Sequence, residues 1–227
     1  MSLFKETVLD CPSCARSLSF ETVHSLNADR RPDLREAILN GSFQRERCPH
    51  CGVRFRVDPE LTYIDLRRGQ YICAWPVSRR RTWQQFAVRS QGSFDRAFGA
   101  LATGEARAIG ATLTLRVAFG WPALTEKLLA RDAGIDDRTL EVAKLAIVSR
   151  LESAPLPGQQ ELRLVSAGAD ELVFGWVRAD GDRLGACLRA PRALIAEIEA
   201  DAKAWRGVLD DVAQGPVVDF QREMLAA

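Results

Sequence analysis

Four cysteines fall in two matching pairs, Cys11-Pro12-Ser13-Cys14 and Cys48-Pro49-His50-Cys51, with 33 residues between the pairs. A two-residue gap sets both sulfurs of a pair on one side of a tight turn. Proline at the first intervening position fixes φ and helps preset that turn. Four thiolates so arranged can close a tetrahedral metal site. The separation exceeds the common gap of a zinc ribbon, so the intervening structure has to bring the two turns together.

Zinc is the favoured ion, since four sulfurs in tetrahedral geometry mean zinc or iron and zinc is the commoner structural choice. A rubredoxin-like iron site stays open, because the Cys51-Gly52 ending of the second turn would suit it. Six cysteines in all could also be read as a disulfide framework. The chain opens Met1-Ser2-Leu3-Phe4-Lys5-Glu6, without a charged-then-apolar leader, and contains no apolar run of membrane length. The expected setting is therefore a reducing cytoplasm, where thiolates meet metal. Four thiolates on a divalent cation leave a charge of −2, which nearby amides must offset. Gly52 can turn left-handed and aim amides at sulfur, whereas Ala15 lacks that freedom. Arg16, Arg45 and Arg47 flank the ligands and either offset the cluster or stay solvated.

Composition is that of an ordinary soluble globular protein: 227 residues, 47% hydrophobic and 27% charged. The formal net charge of +1 demands no polyanionic partner. Charge is uneven, however: residues 1–90 carry 15 Lys/Arg against 10 Asp/Glu, and residues 91–227 carry 16 against 20.

The residue pattern gives an α+β protein: a zinc-ribbon-like antiparallel sheet over 1–80, then an α+β region over 84–227 with a three-stranded meander and helices, the two possibly one continuous domain. Strands are expected over 3–9, 17–24, 43–47, 53–57, 61–66 and 71–75, with a short helix from Pro32 to Asn40 stopped by Gly41. Pro76 to Gln91 reads as a connection, and Ser93 as the cap of a following helix. A strand near 112–119 precedes two helices, one from Pro122 to Gly134 and one capped by Asp136 or Asp137. That second helix is apolar over a wide arc, which implies burial. Strands at 162–166, 171–178 and 183–189 form the meander, with Asp180-Gly181 as a hairpin turn. One long helix closes the chain from Pro191, carrying Ile195, Ile198, Ala202, Trp205, Leu209 and Val212 as a stripe covered by a sheet or by a partner helix.

The order of motifs resembles the bacterial and archaeal CpXC domain family, named for two Cys-Pro-x-Cys pairs. The likeness includes Asn27, Pro32-Asp33-Leu34, Asn40-Gly41, Tyr63-Ile64-Asp65 and Trp75-Pro76. It continues with Phe119-Gly120-Trp121, Leu124, Glu126, Lys127, Asp132 to Asp137, Glu141, Lys144 and Val218-Asp219. The resemblance implies Cys11, Cys14, Cys48 and Cys51 as metal ligands. Ile64 departs from the family pattern, which often has histidine there.

Catalytic chemistry has little to draw on. His24 and His50 are the only histidines, and no phosphate-binding glycine loop, nucleophile elbow or His-Glu-x-x-His helix occurs. Four thiolates leave zinc no open position for water, so the site is expected to be structural. His50 as a ligand is the weaker alternative. Asp132, Asp136 and Asp137 could hold a cation but suit helix ends better. Cys73 and Cys187 are expected to be buried packing residues rather than redox sensors. The expected function is a zinc-binding, non-enzymatic module that presents a surface to a protein partner. The rival is nucleic-acid binding through Arg54, Arg56, Arg67, Arg68, Arg79, Arg80 and Arg81, with Trp83 stacking on a base.

Overall fold

The computed structural model describes residues 2–153, 155, 160–178 and 184–222. The expected Asp180-Gly181 turn lies outside them. The class is α+β, built on three sheets. β1 (Leu3–Asp10) and β2 (Ser17–Asn27) form a long antiparallel hairpin whose turn carries the first cysteine pair. Helix α1 (Pro32–Leu39) starts on Pro32 and ends where Gly41 turns left-handed at φ 74°. β3 (Arg45–Arg47) and β4 (Arg54–Arg56) form a two-stranded ribbon around the second pair.

β5 (Leu61–Asp65), β6 (Gln70–Trp75) and β7 (Thr114–Phe119) complete a five-stranded sheet in the order β1-β2-β5-β6-β7. This sheet is mixed, not antiparallel throughout: β2 runs parallel to β5, and β6 parallel to β7. Its last strand comes from beyond residue 84, so the sheet crosses the boundary expected between the two regions. The segment read as a connection is a 3-10 turn (Val77–Thr82) followed by helix α2 (Trp83–Ala97). Its aromatic residues explain the helix: Trp83, Phe86, Phe94 and Phe98 pack with Tyr71, Val117 and Phe119 on one face of the sheet. Ser93 is thus inside α2 and not its cap, with its Oγ 3.4 Å from the Tyr71 hydroxyl. A short helix, α3 (Gly104–Gly110), follows where none was expected.

Helix α4 (Gly120–Asp132) joins α1 on the opposite sheet face, where Leu26, Ile38, Tyr63, Ile72, Trp121, Leu124 and Leu128 are buried. α5 (Asp137–Val148) is capped by Asp136, whose side chain accepts the Arg138 backbone N–H. β8 (Gln160–Ala167), β9 (Glu171–Arg178) and β10 (Leu184–Pro191) make the antiparallel meander. The closing helix is broken into α6 (Ala193–Ala200) and α7 (Arg206–Val212). A turn over 201–205 lets both pieces meet α5, and Ile195, Ile198, Trp205 and Leu209 pack with α5 and the meander. The apolar stripe is thereby covered from within the chain. Cys73 is buried as expected, and burial pushes its thiol up. Cys187 is exposed instead: β10 is an edge strand of the meander, and its residues over 184–187 are exposed on both faces.

What joins the two sheets is a buried ion network. Glu126 on α4 meets Lys144 of α5 at 3.0 Å and Arg163 of β8 at 3.0 Å, and accepts the Leu164 backbone N–H at 2.7 Å. Arg163 also reaches Glu161 at 2.6 Å and Asp219 at 2.8 Å. Arg80, from the 3-10 turn, pairs with Glu161 and Asp219. Lys144 pairs with Glu141 at 2.8 Å, and Lys127 pairs with Asp137 at 3.1 Å beside Arg116. Every one of these groups is shielded from water to a large degree, which is tolerable only because each charge faces an opposite one. Burial disfavours the Glu126 carboxylate, but Lys144 and Arg163 outweigh it and hold the carboxyl below its usual range.

Replacing Lys144 with Met should expose this dependence. The substitution leaves Glu126 and Glu141 buried with one cation fewer, and should cost about 3–5 kcal/mol in urea-induced unfolding.

Candidate metal centre

The two cysteine turns are near copies of each other in hydrogen bonding. Cys11 N–H donates to Arg16 O at 2.9 Å and Ala15 N–H to Cys11 O at 2.9 Å. In the second turn Cys48 N–H donates to Val53 O at 2.9 Å and Gly52 N–H to Cys48 O at 2.9 Å. The residue after the last cysteine is left-handed in both, at φ 54° for Ala15 and φ 75° for Gly52. Ala15 therefore adopts the conformation that the sequence alone assigned only to glycine. The turn imposes it, and the side chain bears the strain.

The turns face each other. Cys11 Sγ lies 3.6 Å from Cys51 Sγ, and Cys14 Sγ lies 3.8 Å from Cys48 Sγ. All four sulfurs fall within 4.8 Å of one another. Sulfurs bound about 2.3 Å from one tetrahedral zinc would sit about 3.8 Å apart. The spacing and the donor set therefore fit a metal ion. All six cysteines are free thiols, so the disulfide alternative fails here. Among the described residues these four form the one metal-sized cluster of Cys, His, Asp or Glu.

Packing fixes the cluster. Leu18 and Phe20 of β2 and Val53 and Phe55 around β4 surround the sulfurs, with the Phe20 and Phe55 rings edge to face at 5.7 Å. The Ser13 N–H lies 3.5 Å from Cys11 Sγ. Burial works against the Cys48 thiolate, yet the N–H groups of Cys51 and His50 and the adjacent thiols pull the thiol down to about 6. At Cys14 a backbone bond from Arg16 favours the thiolate, but burial and the three other thiols push it up to about 11. Sulfurs this close titrate as a set, and a divalent cation would take the place of their protons. His50 is not drawn into the cluster: its Nδ1 accepts from Arg16 at 3.1 Å, and that bond ties one turn to the other. Arg47 donates to Gly52 O at 3.3 Å, and Arg45 to Gly41 O, so both brace the ribbon.

A cleft of about 860 Å³ opens beside the cluster. Thr7, Pro12, Thr22 and His24 of the long hairpin form one wall, and Gln44, Phe55, Arg56 and Trp121 another. Arg56 stacks on the Trp121 ring at 4.2 Å, and Thr7 and Thr22 share a hydroxyl contact of 2.6 Å near His24 Nε2.

The basic residues marked in the sequence do not form one patch. Arg80 is turned inward into the ion network, where burial lowers its guanidinium to about 10 against the pull of Asp219. Arg68 is held by Asp65 at 3.1 Å and Asp132 at 2.7 Å. Arg67 is largely exposed. Arg54, Arg79 and Arg81 are exposed, and Arg79 lies over Phe86. Trp83 is half-buried beneath Arg222. Arg67 and Arg68 sit at one end of β6 and Arg79 to Arg81 beyond the other, about 20 Å apart along a six-residue strand.

Asp132, Asp136 and Asp137 do not gather on a cation. Asp132 pairs with Arg35 and Arg68, Asp136 caps α5, and Asp137 pairs with Arg116 and Lys127. The ion network itself went unread in the sequence. Its one signal was charge inside an apolar arc: Glu141 and Lys144 lie on the helix whose breadth implied burial.

The structure thus defines an α+β protein with a closed four-cysteine cluster. A family model described as CpXC protein matches residues 9–144, and the chain belongs to that family. The matched span holds all four cysteines and ends in α5, so Val218-Asp219 lies beyond it. Neither the curated proteins nor the solved structures contain a match.

The two turns make opposite predictions for one substitution. Ala15→Gly should relieve the left-handed strain and stabilise the metal-loaded protein by up to about 1 kcal/mol. Gly52→Ala should destabilise it by about 1 kcal/mol, with the new Cβ 3.5 Å from Arg47 Nη2. Paired chemical denaturation of the two variants measures both.

Proposed function

We propose that the chain is a zinc-stapled, non-catalytic interaction module, working in a reducing cytoplasm, that receives an extended segment of a partner protein along the cleft beside the metal. Cys11, Cys14, Cys48 and Cys51 would hold the ion. Four thiolates fill its coordination sphere, so its contribution is to folding and not to chemistry. That contribution would be on the order of 10 kcal/mol in apparent terms. Zinc is proposed over iron on the same ground as in the sequence: it is the commoner ion in structural four-thiolate sites.

One observation carries the reading. Both elements that the metal would join, the β1–β2 hairpin and the β3–β4 ribbon, also wall the cleft. The staple therefore sets the width of the cleft. β1 is the outermost strand of its sheet, and its Thr7 and Leu9 line the cleft. Such a strand offers backbone hydrogen bonds and apolar side chains to an added strand. No helix of the described residues is long and apolar enough to cross a membrane. Nucleic acid is the lesser reading, because its proposed contacts are spread apart or engaged within the fold.

Hydrogen exchange of zinc-loaded and chelated protein tests the staple. Chelation should remove protection from residues 3–27 and 45–56 while residues 114–148 stay protected. Equal protection with and without zinc would overturn the reading. A low-salt titration with duplex and single-stranded nucleic acid tests the rival, and the expected result is no binding.

A further inference from the structure

Helix α2 covers one face of the first sheet with its aromatic side, and its outer side faces solvent. Val88 is 74% exposed there, and Arg89 and Arg96 are exposed beside it. This part of the surface is basic. From Val77 to Thr112 the exposed arginines are Arg79, Arg81, Arg89, Arg96 and Arg107, against the acids Asp95 and Glu105. None of the five pairs with a carboxylate among the described residues. The Asp95 carboxylate accepts from Gln91 Nε2 at 3.0 Å instead. Two of the arginines are held on rings: Arg89 lies over Trp75 at 4.9 Å and Arg79 over Phe86 at 5.9 Å, and the two rings are 4.8 Å apart. A guanidinium lying flat on a ring keeps its N–H edge free for an anion.

Gly92 is the second sign. It occupies the interior of a helix of 15 residues, where only proline is less favourable. Nothing inside the fold requires it: its φ is not left-handed, and an added Cβ would meet only Arg96 Nη1, at an ordinary 3.6 Å. What glycine does there is leave the backbone bare. Val88 and Arg96 lie one turn to either side of it on the helix surface, with Arg89 beside them. A neighbouring helix comes closest where such a gap takes its ridge.

We propose that the outer side of α2 docks an acidic helix of a partner protein. Arg89 and Arg96 are one heptad apart, about 10 Å along the axis, so two carboxylates one heptad apart on a facing helix meet both. Val88 and the gap at Gly92 take small or apolar residues between those carboxylates. A phosphate backbone would leave this apolar middle uncovered, which selects protein over nucleic acid. The surface goes beyond the cleft beside the metal, because α4, which supplies Trp121 to that cleft, lies on the opposite face of the sheet.

Nuclear magnetic resonance titration of the zinc-loaded full chain tests this, with an alanine- and glutamine-based helical peptide that carries two glutamates one heptad apart and leucines between them. Saturable binding with a Kd on the order of 100 μM is expected, with shifts confined to α2. The same peptide with glutamine in place of both glutamates should bind about tenfold more weakly. Combining Arg89→Gln with Arg96→Gln should cost the glutamate peptide about the same factor. Gly92→Ala should raise the urea midpoint and yet weaken the peptide, a split that a purely structural role would not give. No saturable binding below about 1 mM would overturn the proposal. So would undiminished binding to the double arginine variant, shifts centred on the cleft, or tighter binding of single-stranded DNA or phosphatidylglycerol vesicles than of the peptide.

Discussion

The convergence of four sulfurs from two distant turns is the constraint on which the amino-terminal architecture rests. Cys11 and Cys14 close one hairpin, Cys48 and Cys51 close the ribbon, and the sulfur pairs meet at 3.6 and 3.8 Å. The ribbon has only three residues in each strand. A two-stranded piece of that length does not hold its own shape in water. Its anchors are the aromatic contact of Phe55 with Phe20 and the sulfur cluster behind it. The cleft beside the cluster inherits its geometry from the same anchors.

The rest of the molecule uses a different device. Where the first sheet meets the meander, charged side chains from β7, the 3-10 turn, α4, α5, β8 and the tail meet inside the protein, beside the apolar contacts that Ala130, Leu140 and Ala143 make with the meander. Several residues of the family likeness find their place here: Glu126, Lys127, Glu141, Lys144 and Asp219. Tyr63 and Asp65 serve a smaller cluster of the same kind, with Tyr63 donating to Asp65 at 3.0 Å and Arg35 donating to Tyr63 at 3.1 Å.

Periodicity made most elements readable from the residues. Pro32 and Gly41 bounded α1, strands were expected over the residues of β4, β5 and β6, and the Cys-Pro-x-Cys spacing identified all four members of the cluster. Strand direction was not readable: the parallel pairing of β6 with β7 depends on α2 covering one sheet face, and α2 has weak signals, with Arg and Gln among its aromatics. The break between α6 and α7 was hidden because an apolar stripe runs through it. The left-handed Ala15 was missed because propensity argues against it, and only the second turn's hydrogen bonding makes it evident. Arg80 was misplaced for a related reason. Three consecutive arginines read as a solvated run, yet in a 3-10 turn one of them faces inward.

The most direct test of the account is X-ray absorption at the metal edge of protein purified without added metal. A zinc edge with four sulfur scatterers at about 2.3 Å and no nitrogen or oxygen neighbour is the expected result. An iron edge, a nitrogen neighbour in place of a sulfur, or protein that folds without any bound metal would contradict it.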